Sequence, residues 1–170
     1  YAVSNLKEDC DILMWRMHPS LDYLQELCTK TFSIGAGKYI EIKYTYIGFG
    51  KFEMTLDELN SRIGIYPYLL LHPLIKLQEW YELEEREREK MINERKEIIK
   101  SYPDLIETIF ESYGIDDQDM IVVREAKNLN NLIECTSRLK KLKNKSYTQN
   151  DKPVFLCIGK DLTHILDMLS

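Results

Sequence analysis

The last fifty residues constrain the fold of this chain more than any other stretch. Met120 to Val123 (MIVV) is a short apolar run, and Asn128 to Lys143 carries apolar residues at Leu129, Leu132, Ile133, Leu139 and Leu142. That recurrence follows the 3.6-residue period of a helix. Asn144 to Lys152 is polar, Val154 to Ile158 (VFLCI) is wholly apolar, and Leu162 to Leu169 returns to helical spacing after Gly159. The result is a strand–helix–strand–helix unit. A strand with no polar alternation reads as buried on both faces, the usual state in a parallel sheet covered by helices. The expected class is therefore α/β, with a largely parallel sheet and covering helices, up to a reduced or incomplete (β/α) barrel. A right-handed crossover is expected between the two strands.

Upstream, Asp11 to Met17 (DILMWRM) reads as a buried strand before His18-Pro19, and Ser20 as the cap of a helix from Leu21 to Lys30. Lys38 to Ile47 (KYIEIKYTYI) alternates and is rich in β-branched and aromatic residues, which makes it the clearest strand by composition. Thr55-Leu-Asp-Glu58 has the form of a capping box, so a helix over Leu56 to Arg62 follows. Ile65 to Leu71 is a strand or an irregular apolar segment interrupted by Pro67. Pro73 is placed to open a long charged helix reaching Lys100, and Pro103 to open another ending at Tyr113-Gly114.

At 170 residues, 44% of them hydrophobic, the chain suffices for a single domain with its own core. It opens on Tyr1 rather than Met, as a piece of a larger protein would. A net charge of −5 argues against broad nucleic-acid binding, which needs dense Lys and Arg. No apolar run approaches the roughly 20 residues of a membrane span, and Lys7, Glu8 and Asp9 interrupt any leader-like stretch. Cys10, Cys28, Cys135 and Cys157 form no C-x-x-C pair and have no His at zinc spacing. Four free thiols and an intracellular setting, cytoplasmic or nuclear, are expected. No metal and no cofactor is implied.

Few residues advertise chemistry. GAGK at Gly35–Lys38 lacks the following Ser/Thr and helix of a phosphate loop, and reads as the entry to a strand. Gly159-Lys160-Asp161 follows a strand, where backbone N–H groups can hold an anion; the plainer reading is a turn with Asp161 as helix cap. His18, His72 and His164 lie near element ends, where an imidazole can act as a base or simply pack. Lys140, Lys141, Lys143 and Lys145 make a basic cluster that suits a solvated helix end. In the charged helix, Glu84, Arg88 and Arg95 occupy the seam of any heptad, which is too polar for a coiled coil. They read instead as an exposed, partner-facing surface over about residues 79–97.

In order, DILMWRMHPSLDYLQEL, GAGKYIEIKY, YLLLHPL, DMIVVREAKNLNNLIECTSRLKKL and DKPVFLCIGKDLTHIL resemble strand–helix units of type I 3-dehydroquinate dehydratase, a (β/α) barrel enzyme of the shikimate pathway. The resemblance implies that Arg16 stands at a substrate-site arginine and His72 at the histidine assisting Schiff-base chemistry. Met14 and His18 replace acidic neighbours of that arginine. Val122 stands where the imine-forming lysine belongs, Leu166 where a substrate-binding arginine belongs, and Leu162 where a glycine belongs. A valine cannot form an imine. The resemblance therefore implies a degenerate, dehydroquinase-like pseudoenzyme: a non-catalytic interaction, regulatory or scaffold domain with a protein partner. The alternative is an enzyme acting on a small anionic metabolite at the carboxyl ends of the strands, with Arg16, His72 and Lys160 as its binding residues.

Overall fold

The computed structural model describes residues 1–50, 55, 57–58 and 61–168. Five strands form its sheet: β1 (Tyr68–Lys76), β2 (Leu105–Glu111), β3 (Met120–Ala126), β4 (Thr148–Asn150) and β5 (Phe155–Ile158). The helices are α1 (Leu21–Ser33), α2 (Gln78–Glu82), α3 (Glu85–Lys100), α4 (Leu129–Leu139) and α5 (Leu162–Met168). Strand order is β2-β3-β1, with both β4 and β5 beside the far edge of β1. From β1 through α3, β2, β3 and α4 to β5, the chain runs as a β-α-β-β-α-β unit of ferredoxin-like topology.

Every strand pairing in the sheet is antiparallel. The expected parallel sheet, and with it the reduced (β/α) barrel, is overturned. The strand–helix–strand unit at the end of the chain is real, but β1 inserts between its two strands. Leu69 sits opposite Glu125 of β3 on one side and Cys157 of β5 on the other. The apolar run of β5 is indeed covered on both faces, by helices on one and by the N-terminal segment on the other. Burial on both faces does not require parallel neighbours.

The pleat sorts each strand cleanly. Leu69, Phe110, Ile121, Val123, Phe155 and Cys157 face one way and bury against Val3, with Tyr1, Leu13, Trp15, Met17 and Tyr46 packed around them. The opposite face packs Leu105 and Ala126 against Leu132, Cys135 and Leu139 of α4, with Tyr102, Ile98 and Ile99 completing that cluster. All four cysteines are free, Cys135 and Cys157 in the core.

Several expected elements change. Asp11–Met17 is extended but forms no strand of the sheet: its backbone pairs only with the first residues of the chain, through an isolated bridge of Ile12 to Ala2 and hydrogen bonds of Asp11 and Leu13 to Val3, Ser4 and Tyr1, while Leu13, Trp15 and Met17 pack on the core. Lys38–Ile47 is not a strand: Gly35–Tyr39 is a 3-10 turn, and the following residues run without a ladder. Side chains hold that segment instead. Ile47 donates its N–H to Asp116 at 2.8 Å and accepts from the Ser112 hydroxyl at 2.6 Å, while Tyr44 and Tyr46 pack against the Phe155 ring. Gly48 lets it lie close to β2, because a Cβ there would meet Phe110 Cβ at 2.7 Å. The Thr55–Glu58 capping box forms, with Glu58 accepting from the Thr55 N–H at 2.9 Å; of the helix expected over Leu56 to Arg62, residues 57–58 are helical, 61–62 form a turn, and 56, 59 and 60 lie outside the described residues.

Pro73 opens no helix. It lies inside β1, between the stretch paired to β5 and the stretch paired to β4, where that edge of the strand has no described partner to miss its N–H. The long charged helix is accordingly shorter, and breaks at Leu83 and Glu84 into α2 and α3. Leu105–Glu111 is strand rather than helix, and Gly114, at φ +73, serves the β2–β3 turn. By contrast Ser20 caps α1 as expected, and the helix expected from Asn128 to Lys143 forms over Leu129–Leu139 with Asn128 as its cap. Among the described residues, no helix is long and apolar enough to cross a membrane.

Candidate functional site

Alternation places Leu70, His72, Leu74 and Lys76 on the helix-facing side of β1. Together with Arg124 of β3, Arg95 of α3, and Thr136 and Leu139 of α4, they line a cavity of about 70 Å³ between sheet and helices. Lys140, Asn144, Lys145, Thr148 and Asp151 form its mouth.

His72 is 8% exposed, and neither ring nitrogen has a hydrogen-bond partner among the described residues. An unpaired buried polar group costs about 1–3 kcal/mol, so its retention calls for an explanation. Burial, reinforced by the Arg124 and Arg95 charges, pushes this imidazole down to about 3, so it is neutral near pH 7. Lys76 is equally buried. Its ammonium donates to the Asn144 carbonyl at 3.2 Å and to the Thr148 hydroxyl at 3.4 Å, and lies 4.3 Å from the centre of the Trp80 ring. Burial, then Arg95 and Lys145, bring its pKa down to about 8, so it stays largely charged at neutral pH.

Glu107 of β2 organises the two arginines. It accepts from Arg95 Nε at 2.8 Å and from Arg124 Nε at 2.7 Å, and a second Arg95 nitrogen completes a two-pronged contact. Burial opposes the Glu107 charge, but the Arg95 and Arg124 guanidiniums outweigh it and hold the carboxyl below its usual range. Arg124 also reaches the Thr136 hydroxyl at 3.4 Å, which links β3 to α4. At the mouth, Lys145 pairs with Asp151 at 2.8 Å.

The arrangement offers N–H donors and positive charge around a small half-open space, the equipment for holding an oxyanion. Among the described residues, no group of three His, Cys, Asp or Glu is placed to hold a metal ion.

Of the residues singled out in the sequence, His72 and Arg95 line this cavity, and Lys140 and Lys145 of the basic cluster stand at its mouth. Arg16 does not reach it. Its guanidinium donates to Cys28 Sγ at 2.8 Å and Thr31 Oγ1 at 3.0 Å, and so ties the N-terminal segment to α1. Lys160 is exposed beyond β5, and Asp161 caps α5 through the His164 N–H at 2.9 Å. His18 stacks on Tyr23. A site at the carboxyl ends of the strands is ruled out by topology, because adjacent antiparallel strands end at opposite edges. Glu84 precedes α3 at its cap, and Arg88 donates to the Tyr81 carbonyl at 3.1 Å. Met91 is buried and Arg95 turns to the sheet, so α3 packs along one side while most of its residues stay exposed.

Lys76, Glu107 and Arg124 were not recognised in sequence. Their signal was a charge at an inward position of a strand-like segment, in HPLIK, LIETIFE and MIVVREA.

A family model described as chlorite dismutase matches residues 1–160. A coproheme decarboxylase from Mycolicibacterium smegmatis is 21% identical over 162 residues, covering 91% of this chain and 69% of that protein. Solved structures of chlorite dismutase variants from Candidatus Nitrospira defluvii superpose well. One reaches a TM-score of 0.82 at 18% identity, over 99% of this chain and 76% of its own length. Another gives 0.75 at 19% identity, over 88% and 68%. These likenesses show the same fold. They overturn the dehydroquinase-like resemblance, whose parallel barrel this sheet cannot form. The pseudoenzyme and non-catalytic scaffold readings fall with it, since the family and the relative are named for catalysts. The match over nearly the whole length settles the kinship: this chain belongs to the chlorite dismutase family.

Proposed function

We propose that this chain is an enzyme whose substrate site is the cavity between β1, β3, α3 and α4, and that the substrate is a small oxyanion. The observation that carries this reading is His72, buried with both ring nitrogens unpartnered among the described residues, beside Lys76, Arg95 and Arg124. The two names among its relatives point the same way. Chlorite is a small oxyanion, and a decarboxylase acts on a carboxyl group.

An iron tetrapyrrole, the group in the decarboxylase's name, does not fit these residues. The cavity measures about 70 Å³, against roughly 300–1,000 Å³ for pockets that bury drug-sized molecules. His72 is the one lining residue, among those described, of a type that ordinarily ligates haem iron. No chemical step is therefore assigned through such a group.

In the proposed site Lys76 supplies charge, the arginines supply N–H donors, and the neutral His72 ring donates one more hydrogen bond. With a pKa near 3 it is a weak base until an anion beside it raises that value. The four free thiols support a reducing compartment.

The test follows chlorite consumption, and binding of formate and nitrite by calorimetry, for the wild type, His72→Ala and Lys76→Met. Turnover and anion binding that drop at least tenfold in both variants are expected. Neither turnover nor binding in the wild type would sink the reading.

A further inference from the structure

The Arg95–Glu107–Arg124 group lies at one wall of the cavity. Arg95 belongs to α3, Glu107 to β2 and Arg124 to β3, so the shared carboxylate ties a helix to two strands. The Arg124 and Glu107 side chains are 3% and 8% exposed, and that of Arg95 is 14% exposed. Arg95 and Arg124 also form part of the cavity wall. We propose that this ion-pair strut holds α3 down on the sheet and sets the size limit of the site, admitting a small oxyanion and excluding an iron tetrapyrrole.

The inference rests on the reading of the cavity as the substrate site, but it makes a separate claim about size. Prising α3 from the sheet to admit a broad planar ring would separate Arg95 from Glu107. Separating this buried pair strands the Arg95 guanidinium and leaves Glu107 with Arg124 as its one cation of the two, and that penalty opposes the larger guest. The apolar contacts of Met91, Ile98 and Ile99 keep the helix seated in the same position. The strut thereby makes the site selective by geometry, while the cationic lining makes it selective by charge.

Two readouts test this on the full chain. The first is hemin titration, followed by the Soret band. The wild type is expected to show no saturable one-to-one shift at micromolar hemin. Saturable one-to-one binding that is lost in His72→Ala would overturn the proposal. The second is thermal shift with formate, acetate and benzoate, on the wild type and on Arg95→Ala. The wild type is expected to be stabilised by formate and acetate and not by benzoate, while Arg95→Ala gains a benzoate response. Should that variant fail to fold, Arg95→Ala combined with Glu107→Ala, which leaves neither of these two partners facing the other, takes its place. A wild type that accepts benzoate as well as formate, or a folded variant with unchanged size selectivity, would also overturn the strut. No response of the wild type to any anion would count against the substrate-site reading instead, and the hemin result would still decide the exclusion.

Discussion

Arg95 of α3 and Glu107 of β2 meet in a two-pronged ion pair, and Glu107 in turn holds Arg124 of β3 at 2.7 Å. One carboxylate thus anchors a helix that is otherwise polar over most of its surface. Removing one partner of a buried pair leaves the other charge uncompensated. Glu107→Ala is expected to cost about 3–5 kcal/mol in urea unfolding, because it strands two guanidiniums. Replacing Arg95 and Glu107 together by Met and Leu should cost clearly less than that single change. Equal losses would show that the pair is not coupled.

Acid should weaken the fold in two stages. The imidazole of His72 sits at about 3 when folded and near 6.5 when unfolded. Between those values the unfolded chain binds the extra proton, so stability rises with pH there and falls on acidification. The lowered Glu107 acts in the same direction, but only below its ordinary value of 4.5. The interval from 4.5 to 6.5 therefore belongs to His72. His72→Leu should flatten the stability slope there, as urea midpoints across that range would show; an unchanged slope would remove His72 as its source.

Lys76 gives the site an alkaline limit. Its pKa of about 8 means that the charge holding an anion disappears as pH rises through that value. Formate affinity, measured by calorimetry from pH 7 to 9.5, is expected to fall across that midpoint. A hydrogen bond to a charged group is worth about 1.5–3 kcal/mol, so Lys76→Met should lose roughly 10- to 100-fold in affinity and flatten the profile. An identical pH profile in the variant would assign the limit to another group.

The helix-side core depends on Leu132, which is 1% exposed and packs between Leu105, Ala126 and Leu139. Leu132→Ala should destabilise the chain by about 2–5 kcal/mol, the range for a large-to-small change in a packed core. A loss below 1 kcal/mol would mean that α4 is not seated as described.

How far the sequence alone determines this protein depends on whether the signal is local. Asn128 and the stripe through Leu129, Leu132 and Leu139 specify α4, because capping and the helical period act within a few residues. MIVV and VFLCI specify strands for the same reason. Ser20 before α1 and the Thr55–Glu58 box are equally local. Sheet direction is not local. β3 and β5 pair with a strand that lies more than forty residues earlier than either, so nothing within their own stretch distinguishes an antiparallel β1 from a parallel neighbour. Composition misled at Lys38–Ile47, since β-forming residues make a strand only where a partner offers a ladder, and Ile47 is held by Asp116 and Ser112 instead. It misled at Pro73 too, where the helix-opening reading gave way to a gap in the pairing along β1. The site divides in the same manner. His72 was visible as a residue type near an element end. Its meaning came from tertiary structure alone, which set it on one face of β1 with Lys76 and brought Arg95 and Arg124 to it across the sheet. The pleat decides which charges point inward, and antiparallel pairing decides which of them meet.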